Sequence, residues 1–583
     1  MEQVKTFYRR YHWLFLAAAY LVVFAVGVLY LRVTISIPPE GDDKLTLNRW
    51  MYDFQRMPFW QYLLQDLQGR LRYFTLQEVR FFPFHYPNAV ALLFYGSLSH
   101  YRLYIIAWTG AAAFLVSRVA ARFGSGDALA LGGFTLAIAA APIWNEGMYS
   151  YYAVPQRALF WAMAAWLCLF GWENSHRRGW AAAAALLSFV ACGTYEIGYM
   201  FAALAFVVWC LRARSVKAGL FNTAPALGGM GVALIFHMLC GRSGGTGNEV
   251  SLDIPQVLRV LVQQMAASIP GLNSRILQED CGVLSNGDRL WPLVLGVLAG
   301  LLLFFAVPRE KLNRKMLGAA AGFGLAVWAL PALLLALSAR YQAPGAITWK
   351  WGYIPAAASS IGFALVVAVL LAALAGACRK LPKILSILAR LGLTAALAAG
   401  LCLNGSYLRG VVRTHHAENL DNYQFFVRTI QSGLADAVQP GDLILCNENV
   451  WDSNADAETA FFSRFTGRDL HAAVLGTTYD APAGNTYAYQ TYRKYGGYDL
   501  AWCGRLQSAD SDLMDGVQVY VQSACVPDNA VIKYKVRLAD GTEEARAICL
   551  LDCTQTPRDA NGDYLATVED SGIVNAKLMI WDG

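Results

Sequence analysis

The sequence predicts a mainly α-helical protein that crosses a membrane many times and ends in a C-terminal α/β or α+β domain. Three observations predict this. Apolar runs recur up to about residue 408 and none follows. Lys and Arg gather in every second connection between the runs. Only 15% of the 583 residues are charged while 56% are hydrophobic, whereas soluble proteins carry about 25% charged residues. The net charge of +6 sits in short basic clusters between apolar runs. Cytoplasmic membrane loops look like this, so the charge implies a lipid bilayer and no nucleic acid.

A helix needs about 20 apolar residues to cross a bilayer. The candidate spans are 13–31, 89–118, 127–143, 155–172, 179–194, 197–211, 222–240, 290–307, 316–338, 352–377 and 391–408, eleven in all. No small-residue cleavage pattern follows the first run, so it is expected to stay as a helix. Ser99-His100 interrupts the second, part of which is expected to lie in the interface. The runs 179–194 and 197–211 are expected to form a tight pair. The basic clusters, from Lys5, Arg9 and Arg10 to Arg379, Lys380, Lys383 and Arg390, put the N-terminus in the cytoplasm. With an odd number of spans the C-terminal domain lies outside a plasma membrane. The expected division is a membrane domain, 1–409, and an extracytoplasmic domain, 410–583.

The outer connections hold most of the polar residues. The first, 32–88, contains amphipathic segments Leu47–Arg56 and Phe59–Leu67, suited to the interface. A later one begins with the Gly-rich stretch Gly241–Gly247, read as a mobile loop, and contains a helix over Pro255–Ser268; Cys240 and Cys281 flank it and could pair. In the tail, a helix over Asn422–Val438 precedes strands at Leu443–Cys446, Val517–Gln522, Val531–Leu538, Arg546–Leu551 and Val574–Ile580. Asp540-Gly541 marks a hairpin. Five tail cysteines lie where disulfides are allowed, without the paired spacing of a zinc site.

The stretch Ile37-Pro-Pro-Glu-Gly-Asp-Asp-Lys44, just past the first run, carries the leading candidates. Adjacent Asp42 and Asp43 repel, which raises the pKa of one of them. A carboxylate of this kind can take a proton from a hydroxyl, can hold a divalent cation such as Mg or Mn on a phosphate, or can simply face water. Glu146, between Trp144 and Tyr149, suits a sugar hydroxyl or a metal, with Tyr149 stacking on a sugar face; an interfacial aromatic belt is the bland alternative. Glu196 lies between two runs, where ionisable groups are functional candidates by default, or bonds within a helix pair. Arg340, Lys350 and Tyr353 lie late on the outer side, where cations suit a phosphate leaving group or lipid headgroups. His415-His416 are read as solvated. Neither a P-loop ending nor a serine- or zinc-hydrolase motif is present.

In the same outer connection Asp66-Leu-Gln-Gly-Arg70 follows the acidic pair. A first span, an outer acidic pair and a Gly-Arg segment before the second span resemble the GT-C type of polytopic glycosyltransferase. The resemblance implies a polyprenyl-phosphate-linked sugar donor, a glycan or lipid acceptor of the cell envelope, Asp42 or Asp43 as base with Asp43 preferred, and Arg70 orienting the loop or binding phosphate. The chain lacks the Trp-Trp-Asp-Tyr-Gly motif of oligosaccharyltransferases. The competing readings are a polymerase or ligase of lipid-linked glycans, a transporter or flippase, and an assembly factor. Acids crowded on one face favour surface chemistry over alternating access.

Overall fold

A computed structural model describes the chain except residues 1, 42, 59, 63, 66–67, 69–96, 241–249, 311, 348–351, 448–453, 477–478, 480–481, 496–497, 523–529, 551–562 and 582–583. In chain order its main helices are α1 (Glu2–Leu31), α2 (Asp43–Arg56), α3 (Leu98–Ala120), α4 (Asp127–Ala139), α5 (Val154–Ser175), α6 (Arg178–Thr194), α7 (Ile197–Ala213), α8 (Val216–Cys240), α9 (Ile254–Ala267), α10 (Asn286–Leu301), α11 (Arg314–Ala336), α12 (Ala356–Cys378), α13 (Lys383–Gln431) and α14 (Ala455–Thr466). The chain divides into two compact units. One comprises Met1–Ile37 and Phe59–His416, the other Pro38–Pro58 and Ala417–Gly583. The segment Pro38–Pro58, which the sequence reading groups with the membrane part, therefore falls in the second unit.

In the helical unit every one of the eleven expected runs carries a helix. Eight helices among the described residues are long and apolar enough to cross a membrane, while α4 and α7 are shorter apolar helices and α6 has 17 residues. Of the run at 89–118, residues 89–96 lie outside the described residues. Ser97 caps α3 by accepting from the His100 N–H (3.3 Å), and the helix then continues unbroken through Ser99-His100. The capping oxygen accepts from one otherwise unpaired N–H of the first turn, so α3 starts at Leu98 and includes the polar pair. The expected pairing of α6 with α7 is close: a Cβ at Gly198 would lie 2.4 Å from the Cys192 nitrogen. Small residues allow such backbone approach where lipid gives no hydrophobic drive between helices. Cys281 is a free thiol, so the suggested pairing with Cys240 is not formed.

The sheet unit holds nine strands: β1 (Leu443–Cys446), β2 (His471–Val474), β3 (Thr486–Tyr495), β4 (Tyr498–Leu506), β5 (Leu513–Gln522), β6 (Val531–Arg537), β7 (Glu543–Cys549), β8 (Tyr564–Val574) and β9 (Met579–Trp581). Their order is β2-β1-β3-β4-β5-β8-β6-β7, with β9 on β6. The β1 pairings to β2 and β3 are parallel and the rest antiparallel. Alternate residues feed two cores, as strand periodicity requires. Leu500, Trp502, Val519 and Val521 join Ile532 on one side. Ala501, Cys503 and Tyr520 meet Phe425, Phe426, Phe461 and Phe462 from α13 and α14 on the other. The hairpin at Asp540-Gly541 forms as expected, with Gly541 at φ +83°. Two expected elements are corrected. The helix placed at Asn422–Val438 is the end of α13, which continues without break from the last apolar run. The strand placed at Val574–Ile580 is interrupted by a 3-10 turn, Asn575–Lys577. Cys446, Cys503 and Cys549 are free; burial pushes the Cys503 thiol up to about 12.

Candidate functional site

Asp43 is the first residue of α2, fully buried at 0% exposure, and its N–H donates to the Glu40 carbonyl (3.1 Å). The first turn of a helix is the position its dipole favours for negative charge. Glu40 accepts from Asn419 Nδ2 at 3.2 Å. The interfacial segment expected at Leu47–Arg56 is thus part of a helix of the sheet unit; its Asn48 accepts from Arg464 of α14 at 2.6 Å. Asp42, Arg70 and Lys350 lie outside the described residues.

The other candidates lie in the helical unit, around the connection between α4 and α5. Asn145 folds it into a turn by accepting from the Gly147 N–H (3.0 Å), and Glu146 begins a 3-10 turn there, half-buried. Tyr151, Tyr152 and Ala153 follow with φ of +56°, +53° and +54°. Three successive non-glycine residues in the left-handed region are costly, at about 1–2 kcal/mol each, and such strain persists only where the surroundings over-determine it. The surroundings here are specific. Tyr101 Oη accepts from the Tyr152 N–H at 3.1 Å, and Asn145 Nδ2 donates to the Tyr353 carbonyl at 3.3 Å. A Cβ at Gly147 would lie 2.4 Å from the Ile354 carbonyl oxygen, so only glycine lets the turn approach the segment before α12.

Tyr353 is clamped from α9. Gln264 Oε1 accepts from the Tyr353 N–H and Gln264 Nε2 donates to its carbonyl, both at 2.9 Å. The Tyr353 ring lies 5.0 Å from that of Tyr341 and 6.4 Å from that of Tyr151. Burial, with Tyr341, Tyr151 and Tyr195 adding to it, holds the Tyr353 phenol well above its ordinary pKa. Arg340 is exposed beside this group, its guanidinium 5.7 Å from the Tyr341 ring. Glu196 is half-buried immediately before α7, next in the chain to Tyr195.

Sequence reasoning missed Arg102. It is fully buried on α3, donates from Nε and Nη2 to the Ile37 carbonyl (3.2 and 3.0 Å), and lies 5.7 Å from the Tyr149 ring centre. Tyr149 also meets His416 edge-on at 5.1 Å. His416 is therefore buried, not solvated as the sequence suggested. The signal for Arg102 was available: an arginine inside an apolar run is costly and marks a functional candidate. Trp144 Nε1, Ser150 Oγ and Gln156 Oε1 are buried around the same turn without hydrogen-bond partners; such groups call for a specific explanation. The cluster thus offers a desolvated cation, tyrosine rings and hydroxyls, and unpaired polar atoms. No group of three His, Cys, Asp or Glu suited to a metal occurs among the described residues.

No protein-family model and no curated protein matches the chain. Solved structures similar to it include the following two. ArnT from Cupriavidus metallidurans, bound to undecaprenyl phosphate, shares 15% identity with a TM-score of 0.39, over 82% of this chain and 93% of its own. The arabinosyltransferase EmbB from Mycobacterium smegmatis shares 12% identity with a TM-score of 0.29, over 97% of this chain and 64% of its own.

Proposed function

We propose that the chain is a multi-pass membrane glycosyltransferase of the GT-C type, moving one sugar from a polyprenyl-phosphate-linked donor to a glycan or lipid acceptor of the cell envelope on the outer face. The N-terminus is then cytoplasmic, the helical unit is the membrane part, and the sheet unit, with Pro38–Pro58, is the extracytoplasmic domain. One observation carries the reading. Tyr101 and Arg102 at the start of α3, the turn 144–153, and Tyr341 and Tyr353, all on the side that the charge bias makes the outer one, converge in one polar cluster.

In the transfer, the acceptor hydroxyl gives its proton to the carboxylate of Asp43 or Asp42 while its oxygen bonds to the anomeric carbon. The bond from that carbon to the phosphate oxygen breaks, and polyprenyl phosphate leaves with the electron pair. The charge gathering on that phosphate is what fixed cations stabilise; Arg102, Arg340, Lys350 and Arg70 are the candidates. Tyr149, Tyr353, Glu146 and Glu196 are assigned to sugar hydroxyls and ring faces.

The test is Asp43→Asn and Asp42→Asn, made separately, with analysis of envelope glycans. Removing a general base costs typically 10²–10⁴ in rate, so one of the two should lose a single type of sugar residue at normal protein level. An unchanged glycan profile in both would overturn the reading.

A further inference from the structure

The sheet unit contains a cleft of about 790 Å³, within the range of small-ligand sites. Two helix faces wall it. Arg49, Tyr52, Asp53 and Arg56 follow one another along α2 at the spacing of a single helix face. Asp456, Thr459, Ala460 and Ser463 do the same along α14, and Asp469 and His471 close the side next to the edge strand β2. Two polar stripes that face each other in one unit would ordinarily pair their charges.

These do not. Among the described residues, Arg49, Asp53, Asp469 and His471 make no side-chain hydrogen bond or close ion pair; Arg49 and Asp53, opposite charges four residues apart on one helix, act on each other only through space. Elsewhere in the unit pairing is the habit: Arg537 binds Asp512 at 3.0 Å and Arg546 binds Asp570 at 2.8 Å. Asp442, at the foot of the cleft, is occupied structurally, accepting from the Gln439 and Asn485 N–H groups. Burial raises the Asp53 carboxyl above its ordinary range despite Arg49 and Arg56, which marks a partly dried position.

The lining also limits what fits. Two arginines stand against three free carboxylates, Asp53, Asp456 and Asp469, so a phosphate or a nucleic acid would meet more repulsion than attraction. A neutral ligand rich in hydroxyls suits it better, because each hydroxyl both donates to a carboxylate and accepts from a guanidinium or imidazole. Tyr52 and Tyr479 add apolar ring faces at the same cleft.

We infer that this cleft binds a neutral oligosaccharide segment, held by Arg49, Asp53, Asp469 and His471 against the rings of Tyr52 and Tyr479. That the segment belongs to the acceptor rests on the transferase reading; binding itself does not. The experiment uses the full-length protein in nanodiscs, without lipid-linked donor, and a panel of neutral gluco-, galacto-, manno- and arabino-oligosaccharides, with a sulfated oligosaccharide as the anionic control. Binding is followed by saturation-transfer NMR and titration calorimetry. At least one neutral oligosaccharide should bind, and Asp53→Ala with Asp469→Ala should weaken it at least tenfold. His471→Ala with Tyr479→Ala, on the strand side, should do the same if the helix-side pair fails to fold. Whichever of Asp43→Asn and Asp42→Asn loses transfer should keep this binding, which separates the two proposals. Binding by none of the neutral panel, tighter binding of the sulfated control, or binding unchanged in both double variants would each overturn the inference.

Discussion

The turn between α4 and α5 in the helical unit and the cleft of the sheet unit hold their uncommitted polar groups differently. Around the turn between α4 and α5, polar atoms without partners are buried: Trp144 Nε1, Ser150 Oγ and Gln156 Oε1. On the sheet, Arg546 pairs with Glu544 and Asp570, while Arg49, Asp53 and Asp469 line an open cleft. The difference teaches where each unit has kept capacity for a ligand. A buried unpaired polar atom costs about 1–3 kcal/mol, so it survives where something beyond folding requires it. An exposed unpaired charge costs little, and carries meaning only when its neighbours of opposite sign are close and also unpaired.

Three substitutions test this contrast. The largest effect is expected from Arg102→Met. The guanidinium is buried, and its removal leaves the Ile37 carbonyl without those donors, so the variant should be destabilised by about 2–4 kcal/mol. Thermal unfolding in detergent measures that loss, and Arg102→Lys, which keeps the charge but not the planar two-donor geometry, should recover only part of it. Full stability in Arg102→Met would show that the buried cation is not needed for folding.

Ala153→Gly should act in the other direction. Glycine adopts φ near +54° without the Cβ penalty, so the variant should gain about 1 kcal/mol in stability. If the strained turn serves the transfer reaction, activity should fall while the melting temperature rises. A rise in both would make the strain incidental.

The smallest effect belongs to the sheet edge. The Asp570 carboxyl accepts from Tyr534 Oη at 2.6 Å and from Arg546 at 2.8 Å, and these bonds hold it below the ordinary carboxylate range. Its folded value lies below its unfolded one, so its contribution is present above about pH 4 and is lost as pH falls through the folded value. Asp570→Asn should lower the melting temperature by about 1–3 °C at neutral pH and flatten the decline on acidification. An unchanged acid profile would show that this pair carries no stability.

Particular residues show how much could be read in advance. The helices of the membrane part were legible because an apolar run of sufficient length has one option in lipid, satisfying its own backbone. The hairpin at Asp540-Gly541 was legible because its backbone demands a residue that accepts positive φ. Strands β3 and β4 were not. Tyr487, Tyr489 and Cys503 face one core and Trp502 the other, so no simple alternation marks which positions are inside. Glu146, Tyr149 and Tyr353 were picked for their chemistry, and the turn and the Gln264 clamp bring their segments together. Arg102 was overlooked because a single charge in an apolar run looks local until its contacts with Ile37 and Tyr149 are known.

By itself, then, the sequence determined what depends on neighbours along the chain: apolar length, charge bias, caps and turns. Only the tertiary structure decided that α2 folds with the sheet unit, that α13 continues as one helix of 49 residues, and that Arg49 and Asp53 face Asp456 across a cleft. The physical reason is distance in sequence. Propensity and hydrophobic period act over a few residues, whereas these features are set by side chains hundreds of positions apart, whose meeting no local pattern encodes.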